Sequence, residues 1–189
     1  HQPTFFPWLG YFNKICRSDV FVILDNVQYP KKGGTWSNRV KILISSEPSW
    51  ITVPIIRTFI GTKNINEIEI DNSKNWNVKL LKTIEINYKK APYFGEFFPI
   101  IETLISNPGN DLTRFNLSII NTICKLLGID TSHFILGSTL ETSGSSTDLL
   151  ISIVKQTSCN IYMCGGGASK YQEDEKFQDN GITLLYQNF

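Results

Sequence analysis

The sequence has little of what metal, redox or membrane chemistry needs. It holds two histidines and four cysteines in 189 residues. Cys16, Cys124, Cys159 and Cys164 are scattered, and the last two are separated by four residues, which is neither a CxxC redox pair nor half of a zinc knuckle. No metal site is expected, and the thiols read as buried and free, as in a reducing cytoplasm. No apolar run approaches the roughly 20 residues of a spanning helix, and no secretory signal segment is evident, so a cytoplasmic protein without a membrane span is expected. The sequence also has no excess charge of one sign. Lys plus Arg number 18 against 17 Asp plus Glu, for a net charge of +1. The charges are mixed along the sequence, so bulk charge gives no support for a nucleic-acid partner, and none is expected. The chain opens on His1 rather than Met, so a few native residues are expected before it.

What is present suits one α/β domain. Hydrophobic residues make up 41% of the chain, enough for a sizeable core at this length. Asp19 to Leu24 (DVFVIL) is a continuous apolar run closed by Asp25, the pattern of a strand buried on both faces. A short helix is predicted before it, within residues 5–17. Val40–Ile44 and Trp50–Ile55 read as strands around a turn at Ser45–Pro48, and Ile65–Ile70 (INEIEI) as a further strand. Residues 75–127 read as a helical insertion: an amphipathic helix over Asn75–Asn87, a helix over Ala91–Ile105 interrupted near Pro99, and a helix from Asp111 to Leu127 ended by Gly128. Beyond it, a strand over 134–140, a helix capped by Ser146 or Thr147, a strand over Asn160–Cys164, a helix or loop over Tyr171–Asp179 and a strand over Ile182–Tyr186 alternate. That alternation predicts βαβ units and a three-layer fold with a mostly parallel sheet.

Three stretches carry candidate chemistry. The first is His1-Gln-Pro-Thr-Phe-Phe-Pro-Trp-Leu-Gly-Tyr11, a stiff loop of the kind that binds ligands at the carboxyl ends of strands. His1 is read as a catalytic base, Gln2 as a reader of an amide or hydroxyl, and Trp8 and Tyr11 as stacking faces for a sugar or base. Phe5 and Phe6 read as packing. The second runs from Tyr29 to Lys41. Arg39 can grip phosphate or carboxylate bidentately, Lys31, Lys32 and Lys41 supply point charge, and Trp36 can cover a ring. This suits a small molecule bearing a diphosphate, although a charge run is by itself usually a solvated face. The third is Cys164-Gly-Gly-Gly-Ala-Ser-Lys170-Tyr171, neither a Walker A loop nor GxGxxG. Its glycines, Gly165 first, allow close backbone approach to a ligand. Asp25, at the carboxyl end of its strand, is read as catalytic, and Asp19 as a cap or ion-pair partner. Ser138 lacks the GxSxG setting of a hydrolase, and His133 reads as a surface residue.

Together these motifs resemble the WbqC-like family over nearly the whole chain. The resemblance is carried by HQPxxxPWxGYF (His1–Phe12), Asp19–Asp25, Val27-Gln28-Tyr29 with Lys31-Lys32, then Trp36, Asn38 and Arg39, and later by Trp50–Pro54, Ala91–Phe94, Gly165 and Gly181–Gln187. It also implies a basic residue or His where Leu80 stands. Members of this family resemble products encoded among O-antigen and capsule genes. The resemblance therefore implies an enzyme of bacterial cell-surface polysaccharide biosynthesis, a transferase adding an acyl or aminoacyl group to a nucleotide-linked amino sugar. In that reading His1 is the base, Asp25 orients His1 or the acceptor, and Arg39 and Lys32 hold the diphosphate. Gln2, Trp8, Tyr11, Lys31, Trp36, Asn38 and Gly165 complete the substrate site. No cofactor is assigned. Alternatives are a non-catalytic partner in glycan assembly and a degenerate nucleotidyltransferase. The last comes from a more distant likeness of Trp8-Leu-Gly-Tyr11 to the HxGH loop of adenylyltransferase-like proteins, which implies a nucleotidyltransferase-like or Rossmann-like sheet.

Overall fold

The structure, a computed structural model, describes residues 1–168 and 172–189. The readings made of Lys170 and Tyr171 lie outside the described residues. In chain order the elements are α1 (Leu9–Cys16), β1 (Phe21–Ile23), β2 (Arg39–Ile44), β3 (Glu47–Thr52), α2 (Trp76–Tyr88), α3 (Phe94–Ser106), α4 (Leu112–Leu126), β4 (Phe134–Leu136), α5 (Ser146–Gln156), β5 (Ile161–Gly165), α6 (Asp174–Asp179) and β6 (Thr183–Gln187). The described residues form a mixed α/β structure in which β1 pairs with β4 and β5 with β6 in parallel, and β2 pairs with β3 antiparallel. The chain divides into two compact units. The first holds His1, Trp8–Leu24 and Ile129–Phe189; the second holds Gln2–Pro7 and Asp25–Gly128.

In the first unit the apolar DVFVIL run does form a strand, but only Phe21–Ile23 lies in the ladder, opposite Phe134–Leu136. Phe21 and Ile23 are buried. Helix α1 buries Tyr11, Phe12 and Ile15. A methyl group on Gly10 would sit 2.6 Å from the Trp8 indole nitrogen, so a side chain there would displace that indole. Helix α5 starts one position before the predicted caps, from Ser145. Thr147 instead turns inward, is buried, and accepts a hydrogen bond from the Glu173 amide at 3.1 Å. Ile151 and Val154 of α5 pack with Phe177 and Ile182, and the Tyr162 ring stacks on Phe177 at 5.2 Å.

The second unit has its own core, which includes Phe5, Tyr29, Val53, Ile65, Phe115 and Ile119. Leu80, where the resemblance implied a basic residue, is buried in it. The β2–β3 turn consists of Ser45 and Ser46 alone, both at positive φ (51° and 68°), so the strands extend to Ile44 and Glu47 and Pro48 falls within β3. The INEIEI segment is not a strand. Ile65–Glu67 forms a 3-10 turn closed by the Asn64 amide donating to Glu67 Oε2 at 2.7 Å. Ile65 and Ile68 lie three residues apart, the repeat of a 3-10 turn, which puts both on the buried side. Helix α3 runs through Pro99 without a break. The carbonyl deprived of a donor belongs to Gly95, which is exposed, so water can satisfy it. Helix α4 follows its sequence signals: Asp111 Oδ1 accepts from the Arg114 amide at 2.9 Å, and Gly128 at φ +67° ends the helix.

Candidate functional site

In the second unit the hairpin register builds a cluster of rings and cations. Lys41 lies opposite Trp50, and Arg39 is two residues before Lys41, so all three share a face. The Arg39 guanidinium lies 4.3 Å from the Trp50 ring centroid and the Lys41 ammonium 5.2 Å from it. The Trp36 ring is 5.2 Å from Trp50 at an interplanar angle of 56°. Trp36 is 52% exposed and Trp50 41% exposed, so two large rings stand in the open with two cations beside them. Cation–π contacts of this kind are worth about 0.5–1 kcal/mol at exposed sites. Arg39 Nε is buried without a hydrogen-bond partner.

The loop before β2 is shaped to hold Arg39 down. A Cβ on Gly34 would come 2.7 Å from Arg39 Cδ and 3.0 Å from its Nε. Asn38 is buried. Its Nδ2 donates to the Val53 carbonyl at 3.0 Å, and its Oδ1 accepts from the Thr35 amide at 3.0 Å. Asn38 therefore ties the loop to the residue that follows β3. Lys31 and Lys32 are exposed. The loop carrying them is fastened by Arg57, whose guanidinium donates to the carbonyls of Pro30 (3.3 Å), Lys31 (2.8 Å) and Gly33. Asp25 is 2% exposed and accepts from Asn66 Nδ2 at 3.4 Å. Burial raises the Tyr29 phenol above its ordinary pKa, opposed by the nearby Arg57 charge.

In the first unit His1 is half-buried, with Trp8 and Tyr11 edge-on at 5.4 and 4.8 Å. Tyr11 is fully buried and its ring meets Phe21 at 5.4 Å, whereas Trp8 is 49% exposed. The His1 nitrogen donates to the Val22 carbonyl at 2.6 Å, and the Leu24 amide donates to the His1 carbonyl at 2.8 Å. Gly165 ends β5 opposite Gln187. Beside it lies a polar knot. The Tyr186 hydroxyl donates to Asp174 Oδ2 at 2.6 Å, and Gln172 Nε2 donates to Asp174 Oδ1 at 2.8 Å. The Asp174 carboxylate pushes Tyr186 up to about 12, and these same bonds hold Asp174 below the usual carboxylate range. Burial pushes the Cys164 thiol up, so it is a poor thiolate. Cys124 is buried as well, but Cys16 is exposed, contrary to the reading of all four thiols as buried.

Of the residues singled out in the sequence, His1, Trp8, Tyr11 and Gly165 belong to the first unit. Gln2, Asp25, Lys31, Lys32, Trp36, Asn38 and Arg39 belong to the second. The structure brings His1, Trp8 and Tyr11 together, and it brings Arg39 and Trp36 each against Trp50. Sequence reasoning missed Trp50 as a site residue, although counting back from the Ser45–Ser46 turn pairs it with Lys41. It also missed Arg57 and the Asp174 knot, which no local pattern announces. Among the described residues, no group of three His, Cys, Asp or Glu could hold a metal ion, and no helix is long and apolar enough to cross a membrane.

The chain is 29% identical over 186 residues to the uncharacterized protein Rv1507c of Mycobacterium tuberculosis (strain ATCC 25618 / H37Rv), a match covering 98% of this chain and 79% of that protein. No solved structure matches. The sequence profile of the WbqC-like protein family matches residues 2–189, and the chain belongs to that family.

Proposed function

We propose that the chain is a transferase of bacterial cell-surface polysaccharide (O-antigen or capsule) biosynthesis, adding an acyl or aminoacyl group to a nucleotide-linked amino sugar in the cytoplasm. The observation that carries this reading is the open Trp36–Trp50 pair with Arg39 and Lys41 beside it. Sugar and base rings stack on exposed indoles, and a guanidinium meets a diphosphate bidentately. In this reading Arg39 and Lys32 hold the diphosphate, with Lys31 adding charge and Gln2 reading a polar group of the substrate. His1 is the general base. An imidazole can take the proton from the sugar amine as that nitrogen bonds to the acyl carbonyl carbon, while the bond from that carbon to the acyl donor breaks and the donor group leaves with its electron pair. Asp25 orients the acceptor.

The finer fold reading goes with this function. The two parallel pairs, β1–β4 and β5–β6, support a three-layer, mostly parallel sheet of the Rossmann-like or nucleotidyltransferase-like kind, with α2, α3 and α4 as the helical insertion. Plain nucleotidyl transfer is a weaker reading, because Trp8 and Tyr11 stand in the two His places of the HxGH-like loop and Tyr11 is fully buried.

Titration calorimetry with UDP-linked amino sugars tests the proposal. Binding is expected for the unaltered chain, with affinity at least tenfold weaker in Arg39→Ala and in Trp50→Ala. Absence of binding by any nucleotide sugar, or unchanged affinity in both variants, would refute it.

A further inference from the structure

The first unit contains a cavity of about 440 Å³. Its walls include Phe21 and Val22 of β1, Ile161 and Met163 of β5, and Ile153 and Val154 of α5. Two strand edges face it. In β1 the Phe21 amide donates to the His133 carbonyl on the β4 side at 3.1 Å. Along a strand successive residues direct their N–H and C=O groups to opposite neighbours, so those of Val22 point away from β4. In β5 the Thr183 amide donates to the Asn160 carbonyl at 2.8 Å, and Ile161 pairs with Thr183. The same alternation sends the polar groups of Ile161 and Met163 away from β6, towards the cavity. Backbone groups on a strand edge need partners, and an open strand edge is a template for another strand.

His1 shows what that partner is. Its nitrogen donates to the Val22 carbonyl and its carbonyl accepts from the Leu24 amide, at 2.6 and 2.8 Å. This is the ladder of a strand running parallel to β1, with His1 opposite Ile23. We propose that the cavity is a slot for an extended segment of this same polypeptide, the stretch leading into His1, which runs parallel to β1 and pairs with both β1 and β5. The resulting sheet has the order β4–β1–slot strand–β5–β6, all parallel. Lys14, Arg17 and Asp19 also line the cavity, but the apolar side chains that β1, β5 and α5 present along it favour an apolar segment, as in other central parallel strands. The chain then leaves the slot strand in one direction towards β1 and later returns on the other side at β5. Ligands of open α/β sheets bind outside the carboxyl ends of the strands where the order reverses in this way. His1 and Gly165 end the two strands that flank the reversal. The inference does not depend on the identity of any ligand of the second unit.

The test compares hydrogen exchange in the 189-residue chain with two N-terminal extensions, Val-Val-Ile-Val-Ile and Gly-Ser-Gly-Ser-Gly. The apolar extension is expected to slow exchange at the Val22, Ile161 and Met163 amides at least tenfold and to raise the thermal midpoint. The Gly/Ser extension should leave both as in the starting chain. Because an apolar extension can aggregate, the same apolar pentapeptide with a lysine tail is also added in trans to the unextended chain, where it should protect the same three amides. Protection in either format supports the slot. Failure in both formats overturns it, and so does protection in the unextended chain that rises with protein concentration, which would make a second copy the occupant.

Discussion

Asn116 offers a quantitative test of how the second unit is held together. The residue is fully buried on α4, and its Nδ2 donates to the carbonyls of Pro3 at 3.0 Å and Ser37 at 2.7 Å. One side chain thus fixes both the Gln2–Pro7 segment and the loop that carries Trp36, Asn38 and Arg39. Replacing Asn116 by Ala leaves two buried acceptors without donors. Each such loss costs about 1–3 kcal/mol, and some relief from water entering the space left by the amide brings the total to about 2–4 kcal/mol. The measurement is urea unfolding followed by tryptophan fluorescence, with Asn121→Ala on the exposed side of the same helix as the control. Asn121→Ala should stay within about 0.5 kcal/mol of the unaltered chain, as exposed substitutions usually do. An Asn116→Ala variant as stable as that control would refute the reasoning.

Two other perturbations have clear outcomes. Gly34→Ala drives a methyl against Arg39 Cδ at 2.7 Å, so it should lift the guanidinium off Trp50 and weaken nucleotide-sugar affinity several-fold, read by fluorescence titration, with a stability loss of about 1–3 kcal/mol at most. Asp71, Asp130 and Asp174 all have their pKa values lowered by hydrogen bonds, chiefly from Ser73, Ser132 and Tyr186. A carboxylate depressed in the folded state stabilises above its unfolded pKa and loses that contribution as the pH falls through the folded value, so thermal stability should drop below about pH 4. Tyr186, raised to about 12, favours the folded state below its unfolded pKa and loses that support as the pH climbs through the folded one. Asp174→Asn should return the Tyr186 titration, followed by carbon NMR of the phenol, towards about 10; an unmoved titration would rule out the carboxylate as the cause.

Legibility in the sequence followed how local each signal was. Helix α4 could be placed because Asp111, the apolar spacing and Gly128 all act within a few residues of the helix they delimit. DVFVIL could be recognised as a buried strand by composition alone, but the three-residue length of its ladder depends on β4, more than a hundred residues away. INEIEI misled because its apolar count resembles alternation, while the spacing from Ile65 to Ile68 fits a 3-10 turn. Pro99 misled because the tolerance of α3 for it depends on Gly95 facing solvent. For the candidate site, Trp36 and Arg39 could be singled out from their chemistry. Trp50 needed the hairpin register, which hinges on Ser45 and Ser46 both adopting positive φ. The contact of Arg57 with the carbonyls of Pro30, Lys31 and Gly33 spans more than twenty residues, and nothing near Arg57 marks it. The knot of Asp174, Gln172 and Tyr186 forms only when α6 returns against β6.

The central claim is that the Trp36–Trp50 pair and Arg39 receive a sugar carrying a nucleoside diphosphate. A crystal structure of the chain soaked with a UDP-linked amino sugar tests it most directly. The account predicts a ring of the ligand stacked on Trp36 or Trp50 and the diphosphate within hydrogen-bond reach of the Arg39 guanidinium. Ligand bound elsewhere, with Arg39 still lying on Trp50 and both indoles bare, would contradict it.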